Sequence, residues 1–212
     1  MYTIYGTASF NAMKIVAVAQ ELGLDYNFKY LNLAKGENQT PEHLKRHPWG
    51  KIPVLEHDGM TLFESEAICR YLARVNDNAL YSADPKQAAR IDQMMDTFNT
   101  HIGKWMATFF WEELVCPIHL GRPANEETIA EAREWLDKQL PYIDQTLADN
   151  TYLGGSDFSI ADPFAYAYFQ IHESTSIDLS AFPNIQRWYE QVSSRPAMKA
   201  ADKIVYISKK AA

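Results

Sequence analysis

Apolar positions in this chain alternate with a period of two in several short stretches near its start, and recur at three and four over most of the remainder. Tyr2-Thr3-Ile4-Tyr5 reads as a short strand ended by Gly6. Ile15, Val18, Ala19 and Leu22 then fall on one face of a helix that Gly23 is placed to close. Tyr26, Phe28 and Tyr30 alternate with Asn27 and Lys29, the period of a half-buried strand. A strand, a helix and a strand in this order predict a parallel pair joined by a right-handed crossover. An irregular polar stretch from Lys35 to Gly50 leaves room for one short helix over 41–46. Ile52-Pro53-Val54-Leu55 follows as a strand entered through a proline, which suits a strand's first residue because it brings no N–H to the ladder. His57-Asp58-Gly59 turns the chain, and Met60-Thr61-Leu62-Phe63 returns it. Ser65 is placed to cap a helix with Ile68, Leu72 and Val75 on its apolar face. A βαβ unit followed by ββα predicts a four-stranded mixed sheet over 1–78.

From Asp84 onward the strand period disappears. Asp84 caps, Pro85 takes the first helical position, and Ile91, Met94, Met95, Phe98, Ile102, Trp105, Met106 and Phe109 recur at three and four up to a stop at Pro117. A second helix carries Ile129, Leu136, Leu140, Ile143 and Leu147, with a kink expected at Pro141. Ser159-Ile160-Ala161-Asp162 has the form of a capping box, Ser159 as cap and Asp162 three residues on. The helix behind it is aromatic on nearly every side, through Phe164, Tyr166, Tyr168 and Phe169, and should be the buried centre of an all-helical domain over 84–212. Phe182-Pro183 opens a further helix, and Arg195-Pro196 breaks it and starts the last.

Composition narrows the partners. With 20 Lys and Arg against 27 Asp and Glu, the formal charge is -7, and no basic run is dense enough to follow a nucleic-acid backbone. No apolar stretch approaches a membrane span, and the first residues lack the basic-then-apolar layout of a signal peptide, so the expected location is the cytoplasm. Cys69 and Cys116 are too few for a disulfide framework and have no metal-ligand spacing, so neither zinc nor another metal is expected. The proline corner is the chemically suggestive feature. Backbone groups ahead of a strand, beside the N-terminus of the helix after Glu64, form a corner suited to an anionic or peptide-like ligand.

Three patterns in register, Ile52-Pro53 with Glu64-Ser65, Ser159-Ile160-Ala161-Asp162, and Phe182-Pro183 through Arg195-Pro196, resemble those of the cytosolic glutathione transferases along essentially the whole chain. The resemblance is to Ser-type or Asn-type members, related to the nu, theta and phi classes. It implies a thioredoxin-like N-terminal domain joined to an all-α C-terminal domain. It also implies glutathione as co-substrate, small hydrophobic electrophiles as the other substrates, and a homodimer in which Trp49 reaches the partner subunit. Glu64 matches the residue that takes the γ-glutamyl ammonium, and Ser65 with its helix start the γ-glutamyl carboxylate. Ile52, before Pro53, matches the residue whose backbone pairs with the cysteinyl unit. Asn38 and Gln39 stand where many relatives carry a pair ending in Lys for the glycyl carboxylate, so Lys51 or Lys35 would have to supply that charge.

For the thiol, the family places its activating residue after the first strand. Ser9 is the leading candidate in Gly6-Thr7-Ala8-Ser9-Phe10-Asn11, with Asn11 and Tyr5 as alternatives; Ser9 equally suits a helix N-cap. No Cys lies there, which argues against the branches that form a mixed disulfide. Phe10, Trp105, Met106, Phe109 and Tyr206 are the candidate electrophile wall, though the same residues suit a packed core. The expected activity is conjugation of glutathione to an electrophile. Glutathione-dependent disulfide or peroxide reduction, or a non-catalytic binding role on the same scaffold, are the other readings.

Overall fold

The alternating stretch at the start forms β1 (Tyr2–Gly6), and the helix after it is α1 (Phe10–Glu21). β2 (Tyr26–Tyr30) pairs parallel with β1, while β3 (Val54–His57) pairs antiparallel with the other side of β1 and with β4 (Met60–Phe63). The strand order is β2-β1-β3-β4, the four-stranded mixed sheet that the two local motifs predict. α2 (Pro41–Arg46) occupies the one helical stretch expected in the polar segment, and α3 (Ser65–Arg74) follows the hairpin. These elements are taken from a computed structural model that describes residues 1–207.

The chain divides into two units, Met1–Ser82 together with the residues from Ser193 on, and Ala83–Val192. The last helix therefore does not belong with the helical region in which the sequence reading put it. α9 (Pro196–Asp202) packs on α1 instead, burying Met198 and Ala201. Arg195 fixes the contact through a two-pronged pair to Glu21, at 2.6 Å from each nitrogen. With α3 and α9 both against it, α1 is covered on more than the single face its apolar period implies. Every residue from Ala12 to Ala19 is buried, Lys14 among them, whereas Leu22 stays part-exposed.

In the second unit Asp84 caps α4 (Pro85–Thr97) by accepting from the Lys86 amide at 3.2 Å. Helical structure then continues through α5 (Gly103–Phe109), flanked by π-helical turns at 98–102 and 110–120. It runs past Pro117, the expected stop, and ends at Gly121, whose φ of 65° reverses the chain. The wide turn carries the proline ring past the carbonyl that an α-turn would set against it. α6 (Glu126–Asp149) is one unbroken helix through Pro141 and buries Ile129, Leu136, Leu140, Ile143 and Leu147. α7 (Ala161–Phe169) is buried at all nine positions, as its all-round aromatic pattern requires, and α8 (Pro183–Ser193) closes the unit.

The box at Ser159 and Asp162 forms only in part. The Ser159 amide and hydroxyl both donate to the Asp162 carboxylate, at 2.9 and 3.3 Å, so the hydroxyl does not cap the helix. Asp162 accepts from the Leu153 amide and the Trp188 indole as well, which makes it the polar hub of the unit. Burial pushes its carboxyl up to about 6, against the pull of four donors that favour the carboxylate.

Candidate functional site

The sheet ladder begins at Val54, which faces Tyr5 on one side and Phe63 on the other. Ile52, joined to Pro53 by a cis peptide, lies outside that ladder and is only part-exposed. The loop before it is braced from one side. Asn38 donates its side-chain amide to the Gly50 carbonyl at 2.6 Å, Gln39 does so at 3.5 Å, and the His43 ring bonds the Lys51 carbonyl at 2.8 Å. Gly50 has φ 59°, and a Cβ there would run into the Gln39 amide, so only glycine fits. A carbonyl only accepts, so the proton of His43 sits on Nε2. His43 escapes a reading of the sequence by motif. Its signal is positional: it is the one buried residue of an otherwise solvated short helix.

Glu64, rather than Ser65, holds the cap position of α3, with φ 71° and ψ 113° and no side-chain cap bond. A single residue separates β4 from α3, so the whole reversal falls on Glu64, and Ser65 becomes the first helical residue. A non-glycine residue at positive φ costs roughly 1 kcal/mol or more. The Glu64 side chain is exposed, and Glu64 directly follows Phe63, the ladder partner of Val54, so the start of α3 lies at the same end of β3 as Ile52.

At the other helix start, Ser9 caps α1 in extended conformation. Its hydroxyl accepts from the Ala12 amide at 3.3 Å and lies 3.4 Å from the Thr7 carbonyl. Asn11, in the first turn, accepts from the Lys14 ammonium at 2.8 Å. Phe10 is part-exposed, with the Lys14 nitrogen 5.4 Å from its ring centre. Tyr5 is elsewhere engaged: it is 5% exposed, donates its hydroxyl to Glu56 at 2.7 Å, and has Arg46 4.3 Å from its ring centre. Burial, then the Glu56 carboxylate, raise its pKa, and the hydroxyl proton a thiolate would need is already given to Glu56.

The comparisons with known proteins cover both units. Residues 1–74 match the family model described as glutathione S-transferase, N-terminal domain, and residues 99–196 the one described as glutathione S-transferase, C-terminal domain. A probable glutathione S-transferase of Oryza sativa subsp. japonica is 31% identical, with 92% of each chain covered. The chain belongs to the glutathione S-transferase family. Glutathione S-transferase 4 of Zea mays is 32% identical, covering 92% of this chain and 88% of its own. Among solved structures, a glutathione S-transferase-I bound with lactoylglutathione superposes with a TM-score of 0.88 at 28% identity, covering 94% of this chain and 97% of its own. The theta class glutathione S-transferase of Xanthomonas axonopodis pv. citri, with glutathione bound, gives 0.86 at 29% identity, covering 94% and 96%.

The transferase residues expected to form the electrophile wall are divided between the units. Phe10 and Tyr206 belong to the first, Tyr206 being 37% exposed, and Trp105, Met106 and Phe109 to the second. Met106 and Phe109 are closed to solvent, and a Phe109 ring 5.1 Å from the Arg133 guanidinium is packed core rather than open lining. Trp105 retains 9% exposure and stacks on Trp135 at 5.6 Å between ring centres. Among the described residues no group of His, Cys, Asp and Glu is arranged to hold a metal ion, and no helix is long and apolar enough to cross a membrane.

Proposed function

We propose that this glutathione S-transferase holds glutathione along the proline corner and activates its thiol with the Ser9 hydroxyl. Glu64 takes the γ-glutamyl ammonium, Ser65 and the start of α3 take the γ-glutamyl carboxylate, and the Ile52 backbone pairs with the cysteinyl unit. The observation that carries this reading is Glu64: an exposed acidic residue kept at φ 71°, at the start of a helix that no side chain caps. A fold with no ligand for that corner would place Gly at such a φ and Ser or Asp at the cap. Lys51, exposed just before Ile52, is the nearer of the two lysines in sequence for the glycyl carboxylate, since Asn38 and Gln39 are spent on Gly50.

The chemistry is attack of the glutathione thiolate on a hydrophobic electrophile, with a sulfur–carbon bond formed as the leaving group departs with its electron pair. A thiol with a pKa of about 8.5 is only about 3% thiolate at pH 7. Lowering it by about two units, roughly 2.7 kcal/mol, raises the thiolate about 25-fold, but the lower basicity returns about six- to tenfold of that. Most of the acceleration therefore comes from holding the electrophile against the sulfur in an apolar environment. Asn11 is the second candidate for the thiol, because its amide nitrogen donates to no protein atom among the described residues.

Trp49 supports a homodimer: it is 65% exposed, edge-on to His47 and Phe63, at the position where the family inserts an aromatic into the partner subunit. Conjugation of glutathione to a chlorodinitrobenzene-type acceptor tests the activity. A loss of at least an order of magnitude in Ser9→Ala supports Ser9; an unchanged rate there, with a loss in Asn11→Ala, transfers the role to Asn11.

A further inference from the structure

Lys14 has no part in the scheme above, yet it is the costliest side chain in α1. It is completely buried, as are its chain neighbours Met13, Ile15 and Val16, and Met at this position would fill the space without a charge to desolvate. Its nitrogen donates to Asn11 Oδ1 at 2.8 Å and lies 5.4 Å from the Phe10 ring centre, within cation–π range. Both contacts are to residues beside Ser9. An ammonium group only donates, so Asn11 must present its oxygen to Lys14 and turn its NH2 group away as a donor. The opposing charges come from the start of α3, Glu64 and Glu66; Cys69, also near, is held as the neutral thiol by burial, its pKa pushed up to about 12.

We propose that Lys14 is a positioning residue of the thiol site, fixing the Asn11 amide as a donor and lending its buried charge to the bound thiolate. This rests on the proposed glutathione mode. It makes the start of α1 a cluster of hydroxyl, amide, ammonium and helix N-terminus converging on one developing negative charge. Burial depresses Lys14 to about 7, so a thiolate nearby should restore its charge.

The first test is an ultraviolet titration of the thiolate of bound glutathione in wild type, Lys14→Met, Asn11→Ala and the double variant. In Lys14→Met the bound thiol pKa should rise by about one unit, a tenfold loss of thiolate at fixed pH below it, and kcat should fall with it. The dissociation constant for S-methylglutathione should stay within about twofold of wild type, and the melting temperature should not drop, which a merely structural lysine would not allow. Adding Asn11→Ala should change little more, because the two act as a unit. An unchanged thiol pKa in Lys14→Met, or strictly additive effects, overturns the inference. A second measurement needs no variant: the Lys14 titration followed by NMR should move up with glutathione and not with S-methylglutathione, and equal shifts with both overturn it. Wild-type protein that binds no glutathione overturns the binding mode itself, before Lys14 enters.

Discussion

Two helices of the first unit begin in opposite ways, although both starts face the same proposed ligand. α1 is closed by its own side chain, since Ser9 accepts from the Ala12 amide as an ordinary N-cap does. α3 has no such cap, and its preceding residue, Glu64, is held at a φ that only glycine adopts easily. At α1 a residue with a structural task is proposed to act on a thiol as well. At α3 the structural task is left undone, and the corner makes sense once an external carboxylate completes it. The proposed binding half of the site thus shows itself as strain, and the proposed chemical half is hidden inside sound capping.

The largest expected effect breaks the α3 side. Glu64→Gln keeps the backbone and the size but removes the charge proposed to pair with the ligand ammonium, and a hydrogen bond to a charged group is worth about 1.5–3 kcal/mol. The KM for glutathione should therefore rise by about 10- to 100-fold with kcat little changed, measured by steady-state conjugation at saturating electrophile. Glu64→Gly separates the two demands on that residue. Relief of the positive φ should stabilise the fold by about 1 kcal/mol in denaturant unfolding, while glutathione binding weakens as much as in Glu64→Gln. A Glu64→Gly protein that loses stability contradicts the assignment of strain.

Next in size is the α1 side. Ser9→Ala should lose at least tenfold in kcat/KM and, because Ser9 also caps, about 1 kcal/mol of stability. Ser9→Asn sharpens the point, since Asn is an equally good cap. Stability should return close to wild type in a thermal melt, so any rate deficit that persists belongs to the hydroxyl and not to the helix.

How far the sequence reveals this arrangement depends on whether a signal is local. The four-stranded mixed sheet and α2 follow from alternation, Asp-Gly turn chemistry and an X-Pro entry, all decided within a few residues. Pro117 misleads because a proline is read against an α-turn, and the chain there adopts a wider one. The Ser65 cap misleads for a related reason: one residue between β4 and α3 leaves no room for a cap with ordinary dihedrals. Burial of Lys14, His43 and Asp162 is decided by packing outside their own elements, namely α3 and α9 on α1, the 47–53 loop, and Trp188. Asp162 nonetheless has the pattern of a box to announce it. Lys14 has none, and in the periodicity of α1 it reads as a solvated position.

The smallest expected effect concerns the part of the ligand that neither helix start holds. The Gln39 amide sits 3.5 Å from the Gly50 carbonyl, the longer of two bonds to one acceptor, so it contributes less bracing than Asn38 at 2.6 Å. Gln39→Lys would place a cation where many family members carry one for the glycyl carboxylate, on a residue that is already exposed. An exposed pair of this kind is worth at most about 1 kcal/mol, so the KM for glutathione should fall two- to fivefold at low salt and return toward wild type as salt is raised. Asn38→Ala should do the reverse through geometry, since it frees the Gly50 carbonyl and loosens the loop that presents Ile52. Its KM should rise about three- to tenfold with no added salt dependence, the cost of one neutral hydrogen bond of about 0.5–1.5 kcal/mol. If Gln39→Lys leaves KM unchanged at every ionic strength, Lys51 already neutralises the glycyl end, and the Lys51→Met variant should then carry the salt dependence instead.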